Sequence, residues 1–165
     1  MCLLTQDIYP SIAEKDMECY KVVKYVSGAI MTPYMNLPLQ PEIIEGRQLL
    51  CANDIKKVIF NETYSLNEVT CGYIHTFSSM AEAKQCILHE NVEFNFPYLD
   101  ITLVAFKCII PKGTEYYVGY CENGTYYNVL YKDKKYMPLN SYASESIKFV
   151  REITDMELFG YKRKR

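Results

Sequence analysis

Residues 101–110, Ile-Thr-Leu-Val-Ala-Phe-Lys-Cys-Ile-Ile, are apolar almost without interruption, and Pro111-Lys112-Gly113 closes the run. A run this short, rich in branched and aromatic side chains, predicts a β-strand buried on both faces. Pro111 cannot extend a hydrogen-bonded ladder and Gly113 tolerates a turn, so the chain reverses or kinks there. Such a strand belongs in the middle of a sheet. Glu115–Cys121 and Tyr126–Tyr131 read as two more strands, with Asn123-Gly124 between them. Asn-Gly accepts the positive φ values of a type I′ turn and predicts a hairpin.

The remaining elements follow from period and punctuation. Glu18–Val26 alternates as a strand, with Cys19, Lys21, Val23 and Tyr25 on one face and Tyr20, Val22, Lys24 and Val26 on the other. Pro33, Pro38 and Pro41 break the chain into a loop, a place where binding often resides. Asn53–Phe60 carries helix-capping residues at its start and sheet-forming Val58-Ile59-Phe60 at its end, and is read as strand toward that end. Thr70–Phe77 and Ile147–Ile153 are further strands, and Asp155–Phe159 a short helical turn. Ser79-Met80-Ala81-Glu82 is a capping box opening a helix over residues 79–91, whose Met80, Ala83, Cys86 and Ile87 would lie against the sheet. The expected fold is therefore α+β: a twisted, mainly antiparallel sheet of about six strands with one main helix packed on it. The chain reads as a single domain over residues 1–165, with an N-terminal arm (1–13) and a basic C-terminal tail (161–165).

Composition narrows the function classes. With 18 Lys+Arg against 20 Asp+Glu, the formal charge of −2 argues against general nucleic-acid binding. The concentrated basic stretch is Lys162–Arg165, which reads as a solvated end or as a phosphate or membrane contact. No apolar stretch approaches the roughly 20 residues that cross a bilayer, and the first residues lack the pattern of a signal peptide. The seven cysteines are odd in number and form no C-x-x-C pair, so they read as reduced thiols of a cytoplasmic protein. Two histidines and scattered cysteines supply no zinc spacing, so no metal is expected. There is no G-x-S-x-G elbow, Walker A sequence or G-x-G-x-x-G turn either.

Tyrosine is the conspicuous excess: sixteen, beside no tryptophan. Tyr116, Tyr117, Tyr120, Tyr126, Tyr127 and Tyr131 all fall on the expected hairpin. Successive strand side chains point oppositely, so six rings cannot all enter one core. Those left outside would form an interface, since rigid amphipathic rings suit one. The competing reading is cross-strand pairing that only stabilises the hairpin. His75 sits mid-strand beside Tyr73 and Phe77, a position that suits a hydrogen-bonded core imidazole or a catalytic one.

Several segments together resemble an uncharacterised family of small proteins from gut bacteria and their phages. They are Met1-Cys-Leu-Leu-Thr5, Cys19-Tyr-Lys-Val-Val23, Gly72–Phe77 followed by Ala81-Glu-Ala83, Phe106–Thr114 and Tyr142–Phe149. This resemblance implies one compact domain of bacterial or phage origin, acting in the host cytoplasm or within a virion. Ile110-Pro-Lys-Gly-Thr114 also resembles a strand ending of the ADP-ribosyltransferase-like fold. That second resemblance implies that Lys21 takes the early basic position, usually Arg or His. His75, Thr76 and Ser78 would fall near the Ser/Thr strand, and Glu145, one position out of register, near the late carboxylate. It also implies NAD as cofactor, with a carboxylate steadying the charge that develops as nicotinamide leaves.

Two functions are thus expected. The first is a non-enzymatic binding module, without cofactor, whose partner is another protein or a nucleotide. It would be an inhibitor of host defence or a virion-associated protein, working through the tyrosine hairpin and the proline-bounded loop. The second is an NAD-dependent transferase using Lys21, His75 and Glu145.

Overall fold

The computed structural model describes residues 3–33, 36–52, 55–62, 65–93, 101–121 and 140–163. Twelve strands run in chain order through these residues. They are β1 (Leu3–Thr5), β2 (Ser11–Ile12), β3 (Met17–Val26), β4 (Ala29–Met31), β5 (Leu50–Cys51), β6 (Lys57–Asn61), β7 (Leu66–Cys71), β8 (Ile74–Phe77), β9 (Ile101–Ile110), β10 (Glu115–Cys121), β11 (Ser141–Ser144) and β12 (Ser146–Glu152). Three helices accompany them: α1 (Pro41–Ile44), α2 (Met80–Glu93) and α3 (Asp155–Phe159). The strands form one large antiparallel sheet in the order β5-β12-β9-β3-β8-β11-β10-β1-β7-β6, with β2 on β10 and β4 on β3.

The expected α+β fold of about six strands and one main helix is therefore corrected to a mainly-sheet fold of about twelve strands and three short helices. The strands missing from the expectation have a common cause. β1, β2, β4 and β5 are two or three residues long and β11 four, too short to display a clear period of two. The run Thr70–Phe77, read as one strand, divides between β7 and β8, which have different neighbours. Gly72 makes the break, at φ +79°, a region that side chains with a Cβ rarely enter.

The middle of the sheet lies where the apolar run places it. β9 pairs along its whole length with β3, from Met17↔Ile110 to Val26↔Ile101, and with β12 on its other edge. Alternate side chains serve two cores. Val104, Phe106, Cys108 and Ile110 join Val23, Ile147 and Phe149 on one face, where Phe106 meets Phe149 edge-on at 5.3 Å. Leu103 and Ala105 join Val22 on the other face, under Ala83, Cys86 and Ile87 of α2 and Leu158 of α3. Each large side chain so buried contributes about 1.5–3 kcal/mol.

The caps follow the sequence. Ser79 accepts from the Glu82 N–H (3.2 Å) at the start of α2. Thr154 and Glu157 form a full capping box on α3, which Gly160 ends in the left-handed conformation. The expected N-terminal arm supplies two strands: β1 lies between β7 and β10, and β2 pairs with β10. No helix among the described residues is long and apolar enough to cross a membrane.

Candidate functional site: a cavity where β3 and β8 part

β3 and β8 pair at a single position, Tyr20↔Phe77, after which β8 runs on alongside β11. β3 regains a neighbour on that edge only at Lys24, which pairs with Met31 of β4. Residues 21–23 therefore border a gap in the sheet. The proline-bounded loop folds over it as a continuation of the β4 hairpin: Leu39 N–H donates to Ile30 O (2.8 Å) and Thr32 N–H to Leu37 O (2.9 Å). A cavity of about 160 Å³ remains. Lys21 and Val22 of β3 wall it, facing Gly72–His75 and Phe77, and Thr32, Pro33, Leu37 and Leu50–Ala52 close it. At roughly 30 Å³ per water it holds a few waters, and it is smaller than the ~300–1,000 Å³ of a pocket for a whole drug-sized molecule. It suits a small molecule or one end of a larger one.

Lys21 supplies the charge. Its Nζ donates to the backbone carbonyl of His75 at 2.8 Å, and no carboxylate among the described residues pairs with it. Burial pulls its pKa below the ordinary 10.5, because an apolar surrounding disfavours the ammonium. Burial, and then the neighbouring Lys21 charge, push His75 down to about 3. The imidazole is thus neutral at physiological pH, and its buried Nε2 has no hydrogen-bond partner among the described residues. Cys51 lies at the cavity as an exposed thiol, whereas Cys19, Cys86, Cys108 and Cys121 are buried.

Two of the three transferase candidates, Lys21 and His75, thus share one cavity. Glu145 does not line it. Its carboxylate pairs with Lys56, which also reaches Glu115 at 3.2 Å and lies 5.5 Å from the centre of the Tyr73 ring. Its backbone carbonyl accepts from Ala52 N–H at 2.6 Å, so Glu145 stands just behind the cavity wall. Thr76 is buried and Ser78 half-buried.

Three of the six hairpin tyrosines fall among the described residues. Tyr117 is buried, its ring edge-on to Tyr73 at 5.5 Å. Tyr120 is buried with Leu4 and Leu66, and Tyr116 is half-buried against Tyr142. Both edges of β10 are taken, one by β11 and the other by β1 and β2. Tyr126, Tyr127 and Tyr131, with the Asn123-Gly124 turn, lie outside the described residues.

In the basic tail, Arg163 points inward. Its Nε and Nη2 donate to Asp155 Oδ1 at 2.9 and 2.8 Å, and Nη2 also donates to Leu103 O at 2.8 Å. A hollow of about 570 Å³ lies beside it, but there the guanidinium already has its carboxylate, whereas Lys21 has none among the described residues. Among the described residues no three potential ligand side chains cluster as a metal site. Thr32, Pro33 and Leu37 come from the start of the proline-bounded loop that the sequence offered as a binding region. Sequence reasoning missed Cys51 and Lys56, which no local pattern marks, since each reaches the site through contacts distant in sequence.

No protein-family model, curated protein or solved structure matches the chain.

Proposed function

We propose that the chain is a binding module whose ligand is a small anion, or the anionic end of a nucleotide, seated against Lys21. One observation carries this reading: a lysine amine at an otherwise largely apolar cavity, held among the described residues by a backbone carbonyl and by no carboxylate. Burying a cation without a counter-charge is costly. An anion entering the cavity offsets that cost and favours the protonated amine. Lysine binds phosphate as a point charge and does not need the flat bidentate geometry of arginine. The cavity volume admits a phosphate, a carboxylate or a single ring; the rest of a nucleotide would lie outside.

The test is a thermal-shift screen of inorganic phosphate, small carboxylates and nucleotides, with alkylation of Cys51 as a second readout. The expected result is stabilisation and slower Cys51 alkylation by the same compounds, both lost in Lys21→Met. Stabilisation that persists undiminished in Lys21→Met would contradict the reading.

The NAD-dependent transferase is the second reading, favoured by the meeting of Lys21 and His75 in one cavity. It needs Glu145 to leave Lys56 and reach the ribose. Nicotinamide release from NAD, abolished in Glu145→Gln, is the result it requires. The binding reading predicts no release by either protein.

A further inference from the structure

We propose that Lys21 captures a small aldehyde or ketone as an imine, making the cavity a covalent carbonyl site. This inference rests on the reading of the cavity as a ligand site and goes beyond it in naming a bond.

Three features of the cavity converge on this chemistry. First, the amine lies at the gap between β3 and β8, where its wall faces open volume instead of packed core. Second, no described carboxylate pairs with it, and its neighbour is the His75 carbonyl. Third, the apolar surroundings, Val22, Leu37, Leu50, Ile74 and Phe77, disfavour the charged form. The free amine is the nucleophile, and a lysine desolvated in an apolar pocket is the usual way such a nucleophile is made ready near neutral pH. His75, kept neutral by burial, adds no second cation that would repel an incoming proton donor.

The step balances without a redox partner. The Nζ lone pair adds to the carbonyl carbon to give a carbinolamine. Loss of the hydroxyl, with two protons originally on nitrogen accounted to water, breaks the C–O bond and leaves a C=N bond. The products are one imine and one water, and no electron acceptor is consumed. The cavity limits the carbonyl compound to a few heavy atoms inside the wall, and Cys51 and Thr32 are the polar side chains placed to meet its remainder.

The experiment uses propanal, a neutral aldehyde small enough to enter, with sodium cyanoborohydride to fix the imine as a secondary amine. Modified sites are mapped by peptide mass spectrometry at pH 7 in the full chain. Lys21 is expected to be modified in preference to the exposed Lys112, since burial lowers its pKa and so enlarges its free-amine fraction at pH 7. The rate at Lys21 should level off below the ordinary lysine value of 10.5. Lys21→Arg, which keeps a cation but offers no condensing amine, should lose the preferred site while melting as the parent does. Should Arg not fit, the wild-type map alone decides: reaction at Lys21 no faster than at Lys112 overturns the inference. If anions bind but no preferential adduct forms, the covalent site falls and the binding reading stands. If neither is seen, both fall.

Discussion

The amine of Lys21 on β3 reaches across the gap to the backbone carbonyl of His75 on β8, at 2.8 Å, and so spans the place where the two strands cease to pair. The bond ties a titratable side chain to the strand that carries the other titratable group of the cavity.

His75 should make the protein acid-sensitive in a defined window. Its folded pKa of about 3 lies below the ordinary 6.5. Between those values the unfolded chain holds a proton that the native one does not, so stability present above pH 6.5 is lost as pH falls toward 3. The loss is roughly 1.4 kcal/mol per unit of pH across that window. Denaturant unfolding at stepped pH should show a shallower acid limb in His75→Gln than in the parent. Parallel limbs would contradict the burial of a neutral imidazole.

Gly72 joins backbone geometry to the cavity. At φ +79° an added Cβ would press on the Ile55 carbonyl and come within 2.6 Å of the Lys56 Cα. Gly72→Ala should cost about 1–3 kcal/mol from overpacking and strain, and should weaken ligand binding because Gly72 and Tyr73 form one wall. Gly28 has a similar φ of +84° but open space around it. Gly28→Ala should therefore cost less, about 1 kcal/mol, and leave binding intact. Denaturation midpoints and titrations of the two variants check this.

The first strand holds the far side of the sheet. Leu3 is fully buried, and β1 pairs β7 on one edge and β10 on the other. Leu3→Ala should destabilise by about 2–5 kcal/mol, and deletion of residues 1–6 should free the β6–β7 hairpin from the remaining sheet. Faster amide exchange confined to Lys57–Cys71 in the deletion variant is the signature to seek.

Arg163 is structural. With Asp155 buried and Arg163 largely so, Arg163→Ala should cost about 3–5 kcal/mol, the usual result of removing one partner from a buried pair. The loss should persist in high salt, because buried pairs are screened little. Urea unfolding with and without added salt reads both.

The central strand was legible because Ile101–Ile110 is long enough and apolar enough to admit only one placement, and β3 because its alternation persists to Val26. The helix α2 was legible from Ser79, whose hydroxyl does cap it, while the Glu82 carboxylate expected to complete the box accepts from Asn140. What escaped was set by contacts across the chain. β1 is three residues whose burial comes from β7 and β10, elements more than sixty residues away. The split of Thr70–Phe77 depends on Gly72, whose need for positive φ is invisible until Ile55 is found against it. Lys21 and His75 were both singled out, yet no spacing could say that β3 and β8 part just beyond Tyr20. The cavity exists because of that parting. Glu145 shows the converse: a position chosen by resemblance, whose carboxylate belongs to Lys56.

The most direct measurement is the titration of Lys21 itself, followed by NMR of lysine labelled at Cε, in the free protein and with each anion that raises the melting temperature. Lys21→Met assigns the signal. The account predicts a midpoint below the ordinary 10.5 in the free protein, moving upward when the anion is bound. A Lys21 signal that titrates at the ordinary 10.5 or above, or that no stabilising anion displaces, would contradict it.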